Sequence, residues 1–222
     1  MNKGVLVGLV VLVLVAVGAG GWFYLSSKNI NVATTDAAAD AGEKVTAVPA
    51  VTPEDKFIGK ADAPVTIVEY FSLGCPHCKH FHEDLLPKLK SEYLDTGKAR
   101  LVFRDFPLDR IAFVAAALTR CVNELAYFAM VDTLFKQQDT WHVQDGLAKV
   151  AEIAKSAGMD QAAFDACIND KDRNQKIIAM QKEAADTYKV DSTPTFFVND
   201  RKVAGADYDK IKAAIEAALA AQ

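Results

Sequence analysis

Residues 74–81 read Gly-Cys-Pro-His-Cys-Lys-His-Phe. Two cysteines stand two residues apart where one hydrophobic pattern gives way to another. Upstream, the apolar, β-branched run APVTIVEYFS (63–72) predicts a buried strand. Downstream, the spacing of Phe81, Leu85, Leu89 and Tyr93 predicts one apolar face of a helix, and Pro76 suits its first turn. Pro87 is expected to kink this helix and Asp95-Thr96-Gly97 to end it. Cys75 therefore falls at a strand-to-helix turn, with Cys78 one turn further in.

That position has a chemical meaning. Unpaired N–H groups and the helix dipole at a helix start favour an anion, so a thiolate at Cys75 is stabilised and its pKa lowered. Cys78 is near enough to close a small disulfide with it, and His77 between them can add positive charge. A thiolate is both nucleophile and leaving group in disulfide exchange. Three other uses of the pair fit less well. Haem attachment wants a histidine directly after the second cysteine, where this chain has Lys79. Zinc wants four ligands, and His80 and His82 have no second Cys/His pair at ligand spacing, so no metal is expected and both histidines read as surface residues of the helix. A purely structural clip would not explain the placement at a helix start.

The rest of the chain sets the compartment and the architecture. No charged residue lies between Lys3 and Lys28. As a helix, residues 4–27 would run about 36 Å, enough to cross a hydrocarbon core of about 30 Å with some tilt. Trp22, Phe23 and Tyr24 follow the Val/Leu run where an aromatic belt belongs. Residues 1–28 are read as a signal anchor, or as a signal peptide cleaved near Val17-Gly18-Ala19; both send the remainder out of the cytoplasm. Residues 29–54, rich in Ala, Thr, Ser and Asp, read as a flexible tether. The net charge of −4, without a Lys/Arg run, argues against a nucleic-acid partner. A second strand is expected over 99–108, then Ala-rich helical segments over about 109–190, with breaks near Asp139–Trp141, Gly158 and Asn169–Asp172. TPTFFVND (193–200) and RKVAG form a hairpin, and YDKIKAAIEAALAA a closing amphipathic helix. The order is β-α-β, a helical block, then β-β-α.

Three segments together, VEYFSLGCPHCKHF, FRDFPL and STPTFFVN, resemble the DsbA-type thiol:disulfide oxidoreductases. The resemblance covers about residues 55–222. It implies an α/β, thioredoxin-like fold with an inserted helical domain at about 109–170. By the same resemblance Cys75 is the nucleophile, Cys78 the resolving thiol, and Cys-Pro-His-Cys, with Pro76 and His77, the active dipeptide frame. Pro194 matches the family's cis-proline, with Thr193 before it placed beside the sulfurs to receive a substrate peptide. Glu69 matches a buried acid thought to help move protons. The implied activity is donation of the Cys75–Cys78 disulfide to newly exported, unfolded proteins by a monomer needing no cofactor beyond that disulfide. Reoxidation would come from a membrane, quinone-linked, DsbB-like partner. An isomerase or reductase of the same fold, or a non-catalytic metal-binding module, are the alternatives. Cys121 and Cys167 lie outside the core pattern. With one local pair assigned, they remain to pair with each other or to stay as two buried thiols; some relatives carry a disulfide here and others none.

Overall fold

The computed structural model describes residues 41–222. The segment read as an anchor or signal, and residues 29–40 of the expected tether, lie outside the described residues. Among the described residues no helix is long and apolar enough to cross a membrane.

The strands are β1 (Glu43–Lys44), β2 (Lys56–Gly59), β3 (Val65–Phe71), β4 (Ala99–Asp105), β5 (Thr195–Val198) and β6 (Arg201–Ala204). They form one sheet in the order β1-β6-β5-β3-β4-β2. β3 and β4 are parallel, joined by a helical run; the other pairs are antiparallel. The two central strands β3 and β5 are covered on both faces, which is why they read as near-continuous apolar runs.

Period-two alternation sorts β3. Ile67, Glu69 and Phe71 point to one face, Val68 and Tyr70 to the other. The first face carries the larger core. It packs Phe103, Phe196 and Val198 against the helix that follows β3, the closing helix and the helical insert. On the second face Val68, Tyr70, Val102 and Phe197 pack with Ala184 and Val190. At roughly 25 cal/mol per Å² of apolar area removed from water, these two layers dominate the favourable side of folding.

Helix α1 spans residues 76–94 as an unbroken run with three changes of pitch: Pro76–His80 is α, Phe81–Leu85 π, Leu86–Leu89 α and Lys90–Leu94 π. The response to Pro87 is visible in this pattern. Proline lacks an N–H and its ring crowds the carbonyl four residues back. The wider π turn ahead of it, in which the Leu86 N–H reaches the Phe81 carbonyl, lets the helix continue. Gly97, at φ +77°, completes the turn into β4.

The insert comprises α2 (Arg110–Thr119), a 3₁₀ turn (Glu124–Ala126), α3 (Tyr127–Lys136), α4 (Gln138–Trp141), α5 (Gly146–Ser156) and α6 (Gln161–Ile168). Then α7 (Lys171–Asp186) brings Ala184 onto the second sheet face, and α8 (Tyr208–Ala220) closes the chain. Aspartate side chains accept N-cap bonds on α2, α6, α7 and α8. The break expected at Asp139–Trp141 falls instead at residues 142–145. Trp141 is fully buried with its indole N–H on the Leu134 carbonyl, so the chain stays helical through it.

Part of the segment read as a tether belongs to the fold. Ala41 is buried and β1 pairs with β6. Arg104 explains how so polar a stretch is held. Its guanidinium makes two bonds to Asp55, at 3.0 and 2.7 Å, and reaches the Ala50 carbonyl and the Tyr70 hydroxyl. Both charged groups are almost wholly buried. Such a pair is costly to desolvate, and removing one partner is far worse than removing both.

Cys121 and Cys167 form a disulfide joining α6 to the turn after α2, with Cα atoms 5.9 Å apart. It spans 46 residues, a loop whose closure is worth roughly 4 kcal/mol in the chain-entropy account. Replacing both by Ala is expected to lower the unfolding free energy by about 2–4 kcal/mol, since structure left in the reduced unfolded chain offsets part of the loop term. Denaturant titration of the double variant checks this. A midpoint equal to the parent's would mean the bond contributes nothing.

Candidate functional site

Ser72 begins the site. Its carbonyl accepts the Cys75 N–H at 3.0 Å, and its hydroxyl accepts the N–H groups of Gly74 and Leu108 at 3.3 and 3.4 Å. This ties the end of β3 to the segment following β4 and turns the chain sharply. Cys75 then occupies the N-cap of α1 in extended geometry, with Pro76 in the first turn. The insert holds the same turn from above. Gln138 of α4 donates to both the Leu73 and Cys75 carbonyls, at 2.7 and 3.1 Å. Beside it, His142 bonds Asp109 at 2.8 Å directly over Gly74. A Cβ at position 74 would lie 2.7 Å from the imidazole, so the turn needs glycine for close approach.

Both thiols are free and buried. Cys75 retains 5% exposure and Cys78 none, so a partner can reach only the first. The Thr193–Pro194 peptide bond is cis, and the Thr193 carbonyl lies 3.3 Å from Cys75 Sγ, where it accepts the S–H of the protonated thiol. The buried Thr193 hydroxyl has no other partner and can turn to the Cys75 sulfur. Pro76 and His77 are exposed on the rim.

The two sulfurs are pushed apart electrostatically. The Cys75 thiol is lowered to about 5. The hydrogen bond donated by Cys78 holds its thiolate against the opposing effect of burial; the Thr193 side chain and the N–H groups of Cys78 and His77 add to it. Cys78 is pushed well above the ordinary thiol range by burial, by its bond to Cys75 and by the charge of Glu69. One sulfur is thus an anion at neutral pH and its neighbour a firmly protonated thiol.

Glu69 is fully buried on the sheet face that α1 covers. Its partner is His82, whose Nε2 lies 3.1 Å from each carboxylate oxygen. His82 is therefore not a surface residue as its sequence suggested. Its side chain is 7% exposed and stacks on Phe135, with ring centroids 4.4 Å apart. A signal was available: His82 follows buried Cys78 by four positions, one turn along the same helix face. His80 does face outward, paired with Asp84. Gln138 also escaped the sequence reading, because nothing sets one glutamine apart within the polar run Lys136-Gln137-Gln138-Asp139-Thr140. The structure brings Cys75, Pro76, His77, Cys78, Glu69, Thr193 and Pro194 into one region; Cys121 and Cys167 stand apart in the insert.

Residues 51–217 match the family model described as thioredoxin. The crystal structure of Wolbachia pipientis alpha-DsbA1 superposes with TM-score 0.70 at 33% identity, covering 77% of this chain and 94% of that one. The chain is a DsbA-type member of the thioredoxin family. Among its DsbA-type relatives, disulfide bond formation protein D of Bacillus subtilis is 32% identical over 73% of this chain and 76% of its own length. A putative protein-disulfide oxidoreductase of Rickettsia bellii is 31% identical over 76% of this chain; the chain spans 66% of that protein's length.

Proposed function

We propose that this DsbA-type chain is a thiol:disulfide oxidoreductase that donates the Cys75–Cys78 disulfide to exported proteins. The observation carrying the reading is the paired asymmetry of the two sulfurs: an accessible thiolate at a helix start, and a sealed, protonated thiol one turn behind it. In the oxidised chain a substrate thiolate attacks Cys75 Sγ. The Sγ–Sγ bond breaks, its electron pair leaves on Cys78, and Cys78 takes up a proton. The substrate's second thiolate then attacks the substrate sulfur of the mixed disulfide and expels Cys75 as a thiolate. Low thiolate basicity makes Cys75 a good leaving group, and the high pKa of Cys78 disfavours its return attack. The substrate loses two electrons and two protons; the cysteine pair gains the electrons.

Apolar Leu108 and Val143 are 53% and 47% exposed. One is anchored to Ser72 through its N–H, and the other follows His142 over Gly74. They give an unfolded segment something to rest on beside the Thr193 carbonyl. Residues 1–28 would anchor or export the chain, placing the domain on the periplasmic side of the inner membrane, or free in the periplasm if the segment is cleaved. A membrane, quinone-linked, DsbB-like protein would restore the disulfide, and Pro76 and His77 on the rim would meet it.

The test mixes the oxidised full chain with a reduced, two-cysteine unfolded peptide and follows both by mass. The expected result is a disulfide in the peptide and two free thiols at Cys75 and Cys78. An inert oxidised chain, or an equilibrium with glutathione that strongly favours the chain's own disulfide, would overturn the oxidase reading.

A further inference from the structure

Disulfide donation leaves a proton to be delivered to a place water does not reach. Cys78 has no exposed surface, and neither has Glu69, whose charge acts on it. A buried carboxylate can give or take one proton and must then be reset. Its hydrogen-bonded partner in the structure is His82, which meets both oxygens at 3.1 Å and keeps 7% of its side chain open. Imidazole is the side chain whose ordinary pKa, about 6.5, lets it exchange protons near neutral pH.

We propose, resting on the oxidoreductase reading, that His82 is a positioning residue that relays protons between Glu69 and solvent during each change of state at Cys78. When Cys78 leaves as a thiolate, the Glu69 carboxyl, whose charge already acts on that sulfur, gives it a proton once the freed sulfur swings within hydrogen-bond reach, and imidazolium His82 restores that proton to Glu69. When the disulfide reforms, Cys78 gives its proton to the Glu69 carboxylate, neutral His82 carries it outward, and the freed thiolate attacks Cys75. Each step moves one proton and leaves the sulfur electrons to the exchange itself.

The surroundings suit this role. Phe71, Phe81, Phe103 and Phe135 enclose the imidazole, so its exchange with water is confined to one edge. Tyr127 on α3 is the other titratable group within this packing; burial drives it far above the neutral range, so it stays protonated. Beyond it, Asp105 is bound to Arg120. Glu83 of α1 acts on Lys136 of α3, which pairs with Asp132 towards solvent.

The experiment isolates the Cys78 step. Reduced full-length protein is mixed with oxidised glutathione across pH 5–9. Formation of the Cys75–glutathione adduct and its displacement by Cys78 are followed separately by acid quench and mass. His82→Phe is expected to slow displacement by about 10-fold or more at pH 7 and to remove one inflection from its pH profile, with adduct formation nearly unchanged; general acid–base contributions span about 10²–10⁴-fold. His82→Gln retains a donor for Glu69 without a titrating ring and should show the same lost inflection. Displacement that keeps the parent's rate and pH profile in His82→Gln overturns the proposal. Should either variant misfold, the parent decides: the His82 ring nitrogen resonances must titrate differently in the oxidised and reduced states, and identical titrations overturn it. Failure of the parent to form any adduct would instead sink the oxidoreductase reading.

Discussion

Cys75→Ser is expected to reduce disulfide exchange to the uncatalysed level, whereas Cys78→Ser should trap covalent complexes with substrate. The asymmetry follows from exposure and charge. Only Cys75 can be reached, and only its sulfur is an anion at neutral pH. In Cys78→Ser the Cys75 thiolate attacks a substrate peptide whose cysteine is already disulfide-bonded to glutathione, glutathione leaves as a thiolate, and nothing within the chain resolves the mixed disulfide that remains. Reductant-sensitive mass adducts, counted for each variant after exposure to that glutathione-capped peptide, check this. Adducts in Cys75→Ser but none in Cys78→Ser would reverse the roles. Cys78→Ala adds a sharper reading. The hydrogen bond from Cys78 is the largest influence lowering Cys75, and a Ser hydroxyl can keep it where Ala cannot. The Ala variant should therefore show a clearly higher Cys75 pKa than the Ser variant.

The second large effect is on Cys75 ionisation in the reduced parent. Alkylation should titrate near about 5, some three units or more below an ordinary thiol at about 8.5, which would be only about 3% thiolate at pH 7. Linkage turns this into stability. A folded pKa below the unfolded one stabilises fully above the unfolded value, about 8.5, and the gain is lost as pH falls through about 5. At pH 7 that amounts to about 2–3 kcal/mol, and near pH 4 to almost nothing. Cys78 does not interfere, because its raised pKa bears on stability only above about pH 8.5. Against this stands the oxidised form's own gain: closing a four-residue ring is worth about 2 kcal/mol. The oxidised form should lead by about 2 kcal/mol at pH 4 and lose that lead by pH 7. Denaturant unfolding of both forms, with Cys121–Cys167 kept paired, measures the difference. A gap that does not move between the two pH values would show that Cys75 is not an activated thiolate.

Much of this arrangement could be read from sequence because the central elements announce themselves. β3 and β5 are buried on both faces, so hydrophobicity alone marks them, and the cysteines mark the junction with α1. The edges offered no such signal. β1 is two exposed residues and β2 four, too short to establish a period. Besides the short β1–β6 and β2–β4 pairings, what ties their neighbourhood to the domain is the buried Arg104, bonded to Asp55, 49 positions away, and to the Ala50 carbonyl. His82 was misread for a different reason. A histidine among Lys79, His80 and Glu83 looks solvated, and only the position of Glu69 across the interface makes its burial affordable.

Those abbreviated edge strands bear on the company this chain would keep. A protein that handles unfolded polypeptides is surrounded by segments seeking a strand to pair with, and a long bare sheet margin would invite them to add on and aggregate. Here β1 occupies the outer side of β6 and β2 that of β4, and each ends within a few residues. Few ladder groups remain for a stray strand to join. Under the proposed function a visiting chain would thereby be turned away from these margins and left with the rim around Cys75, where its stay would end when the sulfurs part.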